Sequence, residues 1–167
     1  MKYDINLIDN MDFTEEDAVE FYSSYELTAD QQAGLPREDE DAAELKNILA
    51  DIFAEKFGES YAKVEALCDI NEESFRKYIR PSSKRVIPTV PLAKFCIGAK
   101  LTPDEAIELF ELSGRSLSLK RRFDYVLLCE LENKDDLEGF DKTLTKNGCK
   151  SVLSDDSKID TEKYFKN

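Results

Sequence analysis

Residues 60 to 114 read SYAKVEALCDINEESFRKYIRPSSKRVIPTVPLAKFCIGAKLTPDEAIELFELSG. Apolar side chains recur here at steps of three and four, and turn residues interrupt them, which is typical of consecutive short amphipathic helices. Asn71 is a good N-cap, and Pro81 stops the helix that follows it. Thr102 and Glu105 form a capping-box pattern around a proline at the first helical position. The stretch therefore predicts helices over residues 60–68, 72–80, 90–100 and 102–114.

The same periodicity continues on both sides of this stretch. Residues 41–57 carry an apolar stripe that ends at Gly58, and further helices are predicted over residues 118–132 and 137–144. No alternating strand pattern competes with them. The predicted fold class is all-α, a multi-helix bundle. We expect three regions: an acidic, partly helical N-terminal extension over residues 1–40, a helical domain over residues 41–150, and a flexible polar tail over residues 151–167.

The charge of the chain is distributed unevenly. The formal net charge is −13, and residues 1–60 alone carry a net charge of −13, against +2 for residues 61–130 and −2 for residues 131–167. An acidic protein is poorly attracted to polyanions in general. The middle of the chain is nevertheless near neutral, and seven basic residues lie between Arg76 and Lys100.

The amino-acid composition excludes several kinds of catalytic and metal site. The chain has no histidine and no C-x-x-C pair, so Ser-His, Cys-His and histidine–metal sites cannot form within it. Cys68, Cys96, Cys129 and Cys149 each lie in or beside an apolar helical pattern, where a free cysteine behaves as a small buried hydrophobe. We therefore expect no enzymatic activity, no cofactor and no metal.

Membrane association is not expected either. No apolar run approaches the roughly 20 residues that a spanning helix needs. The first residues lack the charged and apolar blocks of a signal peptide. The expected location is therefore cytoplasmic.

The order of the predicted helices resembles lambda-repressor-like helix-turn-helix domains over about residues 44–150. The resemblance is carried by the short helix, the Asp69-Ile70 turn, the polar-basic helix after it, and residues 92–106, which read LAKFCIGAKLTPDEA. Residues 112–118, LSGRSLS, with the Arg122-Phe123-Asp124 run after them, are also similar to a helical module found downstream of bacterial macro domains, or alone. Residues 1–40 resemble no family we can name.

This resemblance implies a nucleic-acid-binding regulator, with DNA favoured over RNA and a homodimer expected. Its contact positions correspond here to Ser60, Lys63, Ser74, Arg76, Lys77, Arg80, Lys84 and Arg85. Glu72 and Glu73 depart from the pattern, because they place carboxylates where bases and phosphates would lie. The alternative is that the two acids only satisfy the helix dipole and the basic residues are solvated surface.

A second hypothesis assigns the function to the acidic residues. The protein would be an interaction module or an inhibitor, of the phage type that mimics nucleic acid, and would bind a basic partner such as a nucleic-acid-handling enzyme. The residues that would contact this partner are Asp12, Glu15, Glu16, Asp17, Glu20, Glu38, Asp39 and Glu40. The triplet Lys120-Arg121-Arg122 leaves two alternatives: it pairs from the first turn of a helix with acids such as Glu108 or Glu111, or it docks the acidic head.

Overall fold

The computed structural model describes residues 3–13, 40–83 and 85–153. Within these ranges the secondary structure is helical, with no strand, so the all-α prediction is confirmed. A short 3-10 helix comes first, and seven α-helices follow it. They are the 3-10 helix Ile5–Asn10, α1 Glu40–Phe57, α2 Tyr61–Cys68, α3 Glu72–Ile79, α4 Thr89–Gly98, α5 Pro103–Leu112, α6 Arg122–Glu132 and α7 Leu137–Lys146.

Local interactions set three of the helix ends where the sequence predicts them. The Asn71 side chain accepts from the Ser74 amide at 2.8 Å and begins α3. Thr102 and Glu105 form both bonds of a capping box at the start of α5. Gly58 follows α1 with a φ of 59°, the left-handed conformation that favours glycine. These boundaries depend on groups within a few residues of one another.

Helix α4 forms the centre of the bundle and packs against α2, α5, α6 and α7. Its apolar side chains Leu92, Phe95 and Cys96 are fully buried, and a helix that is apolar all round belongs inside a protein. The ring of Phe95 stacks on Phe75 of α3, with 5.5 Å between centroids, and lies 5.6 Å from Phe57 of α1. One aromatic cluster therefore joins α4 to α1 and α3.

Helix α6 begins at Arg122, four residues later than the predicted start at residue 118. The cause is Asp124, a residue that is 2% exposed. It accepts from the Ser118 amide at 2.8 Å and from Arg121 Nε at 2.9 Å, which holds residues 118–121 as a turn. The prediction that the triplet 120–122 lies in the first turn of a helix was wrong for its first two residues, and Arg121 pairs with Asp124.

The N-terminal segment, residues 3–13, packs on α6. The Tyr125 hydroxyl donates to the Asp4 carbonyl oxygen at 2.8 Å, and the rings of Tyr125 and Phe13 meet edge-on with centroids 5.9 Å apart. The Arg122 guanidinium lies over the Phe13 ring, 4.8 Å from its centroid. The start of the chain is thus fixed to a helix more than a hundred residues away.

Candidate nucleic-acid interface

Helices α2 and α3 are each eight residues long and are joined by the three residues Asp69, Ile70 and Asn71. Asp69 has a φ of 54°, a left-handed conformation that turns the chain sharply between the helices. Val64 and Phe75 are fully buried, and Ile70 is nearly so. The inner faces of both helices therefore anchor them to the core, and their remaining faces meet solvent.

A cluster of charged and aromatic side chains lies on the outer face of α3. The Arg76 guanidinium lies 4.6 Å from the centroid of the Tyr61 ring on α2 and pairs with Glu72 at 3.5 Å. Lys77 pairs with Glu73 at 3.7 Å. Both carboxylates are therefore occupied by cations one turn further along the same helix, as i, i+4 pairs.

A lysine from α1 hydrogen-bonds to the backbone at the C-terminal end of α3 and in the loop after it. Lys46 Nζ donates to the carbonyl oxygens of Lys77 and Tyr78, both at 3.1 Å, and to that of Arg85 at 2.6 Å. Lys46 is 6% exposed, and this burial lowers its pKa to about 8. The contact holds the backbone of Arg85 beside the C-terminal end of α3, and Arg80 and Arg85 are both exposed.

The predicted contact residues are partly used for structure. The Ser60 hydroxyl accepts from the Lys63 amide at 3.2 Å and caps α2, while the Lys63 side chain is exposed. Ser74 is half-buried in the first turn of α3. Lys84 lies outside the described residues. The structure thus brings Arg76, Lys77, Arg80 and Arg85 together on α3 and the loop after it, beside Lys63 and the two serines at the starts of α2 and α3. We call the four basic residues the α3 basic face.

Lys94 is one of the seven basic residues from Arg76 to Lys100, but it does not belong to this surface. It is 6% exposed within α4, and its ammonium pairs with Asp69 at 3.1 Å. Sequence reasoning missed both buried lysines. The signal was present in each case: Lys46 lies on the apolar stripe of α1, one turn from Leu49, and Lys94 is the single charge in a helix that is otherwise almost wholly apolar.

Of the acidic residues predicted to contact a basic partner, Asp12 and Glu40 are described, and both are exposed. The other six, Glu15, Glu16, Asp17, Glu20, Glu38 and Asp39, lie outside the described residues. Helix α1 continues the acidic character with Glu44, Asp51 and Glu55, which are exposed. With Glu40 they recur at steps of four and seven, so they form one row on the side of α1 opposite its buried stripe.

The cysteines are buried, as predicted. Burial raises the pKa of Cys68 and Cys129 to about 12 and that of Cys149 to about 11, and it raises the pKa of Cys96 as well. A thiol with a raised pKa stays protonated at neutral pH and is a poor nucleophile.

The buried Glu130 meets the half-buried Asp135 at the junction of α6 and α7. Glu130 is 3% exposed, and its Oε2 has no hydrogen-bond partner. Burial, together with the neighbouring Asp135, raises the pKa of Glu130 to about 8, while a hydrogen bond from Glu130 lowers the pKa of Asp135. Glu130 is thus the protonated partner at neutral pH. Across the described ranges, no three His, Cys, Asp or Glu side chains are grouped so that they could hold a metal ion.

Comparison with protein-family models, with curated proteins and with solved structures finds no match to this chain.

Across residues 3–13, 40–83 and 85–153, none of the helices combines the length and the apolar character that crossing a membrane requires.

Proposed function

We propose that this protein binds duplex DNA through the α3 basic face, as a regulator of the helix-turn-helix type. One observation carries the proposal: two eight-residue helices are joined by a three-residue turn with a left-handed residue, and the second helix carries cations on its exposed side. Helix-turn-helix motifs have this plan, and their second helix enters the major groove.

Glu72 and Glu73, in the first turn of α3, weaken the attraction of the α3 basic face for DNA but do not abolish it. Their pairs with Arg76 and Lys77 are solvent-exposed, and such pairs contribute only about 0.3–0.5 kcal/mol. Phosphate oxygens can therefore replace the carboxylates as partners of the two cations. The arginine fork also fits phosphate and the O6/N7 edge of guanine, and glutamate accepts a hydrogen bond from cytosine N4.

The electrostatics of the whole chain limits how DNA approaches. The acidic row of α1 repels phosphate, so DNA contact is confined to the side that carries α3 and the loop after it. A single module of this kind makes few contacts, and a homodimer that reads two half-sites is therefore part of the proposal.

The experiment that tests this proposal is a fluorescence-anisotropy titration of duplex DNA over a series of salt concentrations. The variant Arg76→Ala/Arg80→Ala/Arg85→Ala removes three cations from the α3 basic face. The matched control, Lys142→Ala/Lys146→Ala/Lys150→Ala, removes three exposed cations in and after α7, a helix that packs on α4 and α6.

We expect wild-type binding to weaken steeply with salt, with a slope in log–log form that falls by about one for each lost phosphate contact. The α3 variant should lose at least about tenfold in affinity, and the control should retain most of it. Equal losses in the two variants would mean that binding is not localised at α3. No binding by the wild type would remove DNA from the proposal.

A second candidate function follows from the acidic row Glu40, Glu44, Asp51 and Glu55. These carboxylates project from one side of a rigid helix, an arrangement that suits a basic protein surface and that supports an interaction module or a nucleic-acid mimic. In that case the wild type should bind no duplex, and high salt should release it from a basic partner. Replacing the four acids by their amides should then abolish the complex while the helix content stays unchanged.

A further inference from the structure

We infer that Lys94 is a positioning residue for α3, because it ties the α2–α3 turn to the segment that follows α7. The geometric part of this inference stands on the fold alone. Its consequence for nucleic-acid binding rests on the function proposed above.

The Lys94 ammonium lies between two acceptors from distant parts of the chain. Its Nζ is 3.1 Å from Asp69 Oδ2 and 3.2 Å from the Val152 carbonyl oxygen. The side chains of Lys94 and Asp69 are 8% and 12% exposed. A charge so deeply buried must keep its partners, because losing one leaves an uncompensated ion away from water.

The Asp69 end of this contact controls the path into α3. Asp69 follows the last residue of α2 and has a φ of 54°, which few residues other than glycine adopt readily. Its carboxylate is held by Lys94, so the turn cannot rotate without breaking the ion pair. Two residues later, Asn71 caps α3. The direction in which α3 leaves the turn is therefore linked to the position of Lys94.

The Val152 end is held by α7. Asp141 Oδ1 accepts from the Val152 amide at 2.7 Å and from the Ser151 hydroxyl at 2.8 Å. This fixes the carbonyl oxygen of Val152 where Lys94 meets it. A continuous series of hydrogen bonds thus runs from Asp141 on α7, through Val152 and Lys94, to Asp69 beside α3. Hydrogen-bond networks of this kind can carry energetic coupling between distant sites.

Hydrogen exchange on the full-length protein, followed residue by residue, tests this inference. Asp141→Ala removes the support of residues 151–152 and touches neither α2 nor α3. Glu138→Ala is the matched control, because Glu138 is an exposed acid of α7 that pairs only weakly with Lys142, at 3.3 Å. Lys94→Met removes the central ammonium itself.

We expect the amides of Asp69, Ser74 and Phe75 to exchange about tenfold faster in Asp141→Ala and Lys94→Met, as for the loss of a charge-assisted hydrogen bond. They should keep the wild-type rate in Glu138→Ala. Wild-type exchange rates at these three amides in Asp141→Ala would overturn the inference, because the effect of the substitution would then be confined to residues 149–153. The exchange rates of Asp141→Ala therefore test the inference even if Lys94→Met does not fold.

A titration with duplex DNA separates the two proposals. Where the wild type binds duplex, Asp141→Ala should weaken the affinity more than Glu138→Ala does, although neither residue lies on the α3 basic face. Where the wild type binds no duplex, the proposed function fails, and the exchange rates alone decide whether Lys94 positions α3.

Discussion

Lys46 donates to three carbonyl oxygens and so acts on the backbone of α3 and its loop rather than on an acidic partner. A Lys46→Met substitution keeps the apolar part of the side chain and leaves these carbonyls without their shared donor. We expect the free energy of unfolding to fall by about 1–3 kcal/mol, the usual cost of unsatisfied buried polar groups. Chemical denaturation measures the loss.

Lys56→Met provides the control for this substitution, because Lys56 belongs to the same helix and is exposed. It should change stability by less than about 0.5 kcal/mol. Similar losses of stability in the two variants would mean that the hydrogen bonds of Lys46 contribute little beyond the effect of removing one positive charge.

The acid pair at the end of α6 predicts a dependence of stability on pH. Glu130 has a pKa of about 8 in the folded protein, above its ordinary value of 4.5, so the native state holds a proton that the unfolded chain releases. The stabilisation from this proton is complete below pH 4.5 and is lost as the pH rises through 8.

Glu130→Gln isolates this contribution, because the amide stays neutral and can still donate to Asp135. The wild type should lose stability relative to the variant as the pH rises toward and through 8. Thermal unfolding of both proteins across this range gives the comparison. Parallel curves would show that Glu130 does not carry the extra proton.

Substitution of the two glutamates on the outer face of α3 should change the affinity for duplex DNA in the opposite direction to the arginine substitutions. Glu72→Gln/Glu73→Gln removes the two carboxylates of its first turn, which repel phosphate if this face contacts DNA. We expect the affinity for duplex DNA to rise about fivefold at low salt, from about 1 kcal/mol of relieved repulsion. Anisotropy titration measures it.

The matched control is Glu108→Gln/Glu111→Gln, two exposed acids of α5. It changes the net charge of the protein by the same amount, so long-range attraction rises equally in both variants. An equal gain in affinity would place DNA away from the first turn of α3.

The contact of α2 with α4 depends on the absence of a side chain at Gly98. A Cβ built there would lie 2.2 Å from Cys68 Sγ and 2.8 Å from the Leu67 carbonyl oxygen, so α2 would have to move. Helix propensity alone favours Gly98→Ala by up to about 1 kcal/mol, whereas overpacking costs about 1–3 kcal/mol. We expect a net loss of stability in thermal unfolding.

Adding Cys68→Ala removes the nearer of the two clashing atoms. The double variant should recover part of the loss but not all of it, because the Leu67 carbonyl oxygen remains in place. A stabilised Gly98→Ala protein would contradict the close approach of these helices.

For the whole molecule, the docking of residues 3–13 on α6 joins the first described segment to a helix that begins at Arg122. Phe13 is 8% exposed and packs between Arg122 and Tyr125. Phe13→Ala should lower the free energy of unfolding by about 3 kcal/mol, the low end for a buried phenylalanine. Leu7→Ala, in the same segment but 50% exposed, should change it little in the same denaturation experiment. Equal effects would mean that the segment does not contribute to folding stability through Phe13.

The positions of the α-helices can be predicted from the sequence, because their signals are local. Apolar steps of three and four, the Asn71 cap and the Thr102–Glu105 capping box all act within about one turn. The start of α6, four residues later than predicted, has a cause that side-chain spacing does not show: the Asp124 carboxylate reaches back to the Ser118 amide.

Which charges are available at the surface depends on the packing of the helices against one another. Lys46 and Lys94 read as ordinary cations in the sequence, but their partners lie 25 to 58 residues away, and folding buries both lysines against them. The same holds for the packing of residues 3–13 on α6, whose hydrogen bond from Tyr125 to Asp4 spans 121 positions. A local pattern cannot specify a partner at such a separation, because the packing of all the helices together sets the distance.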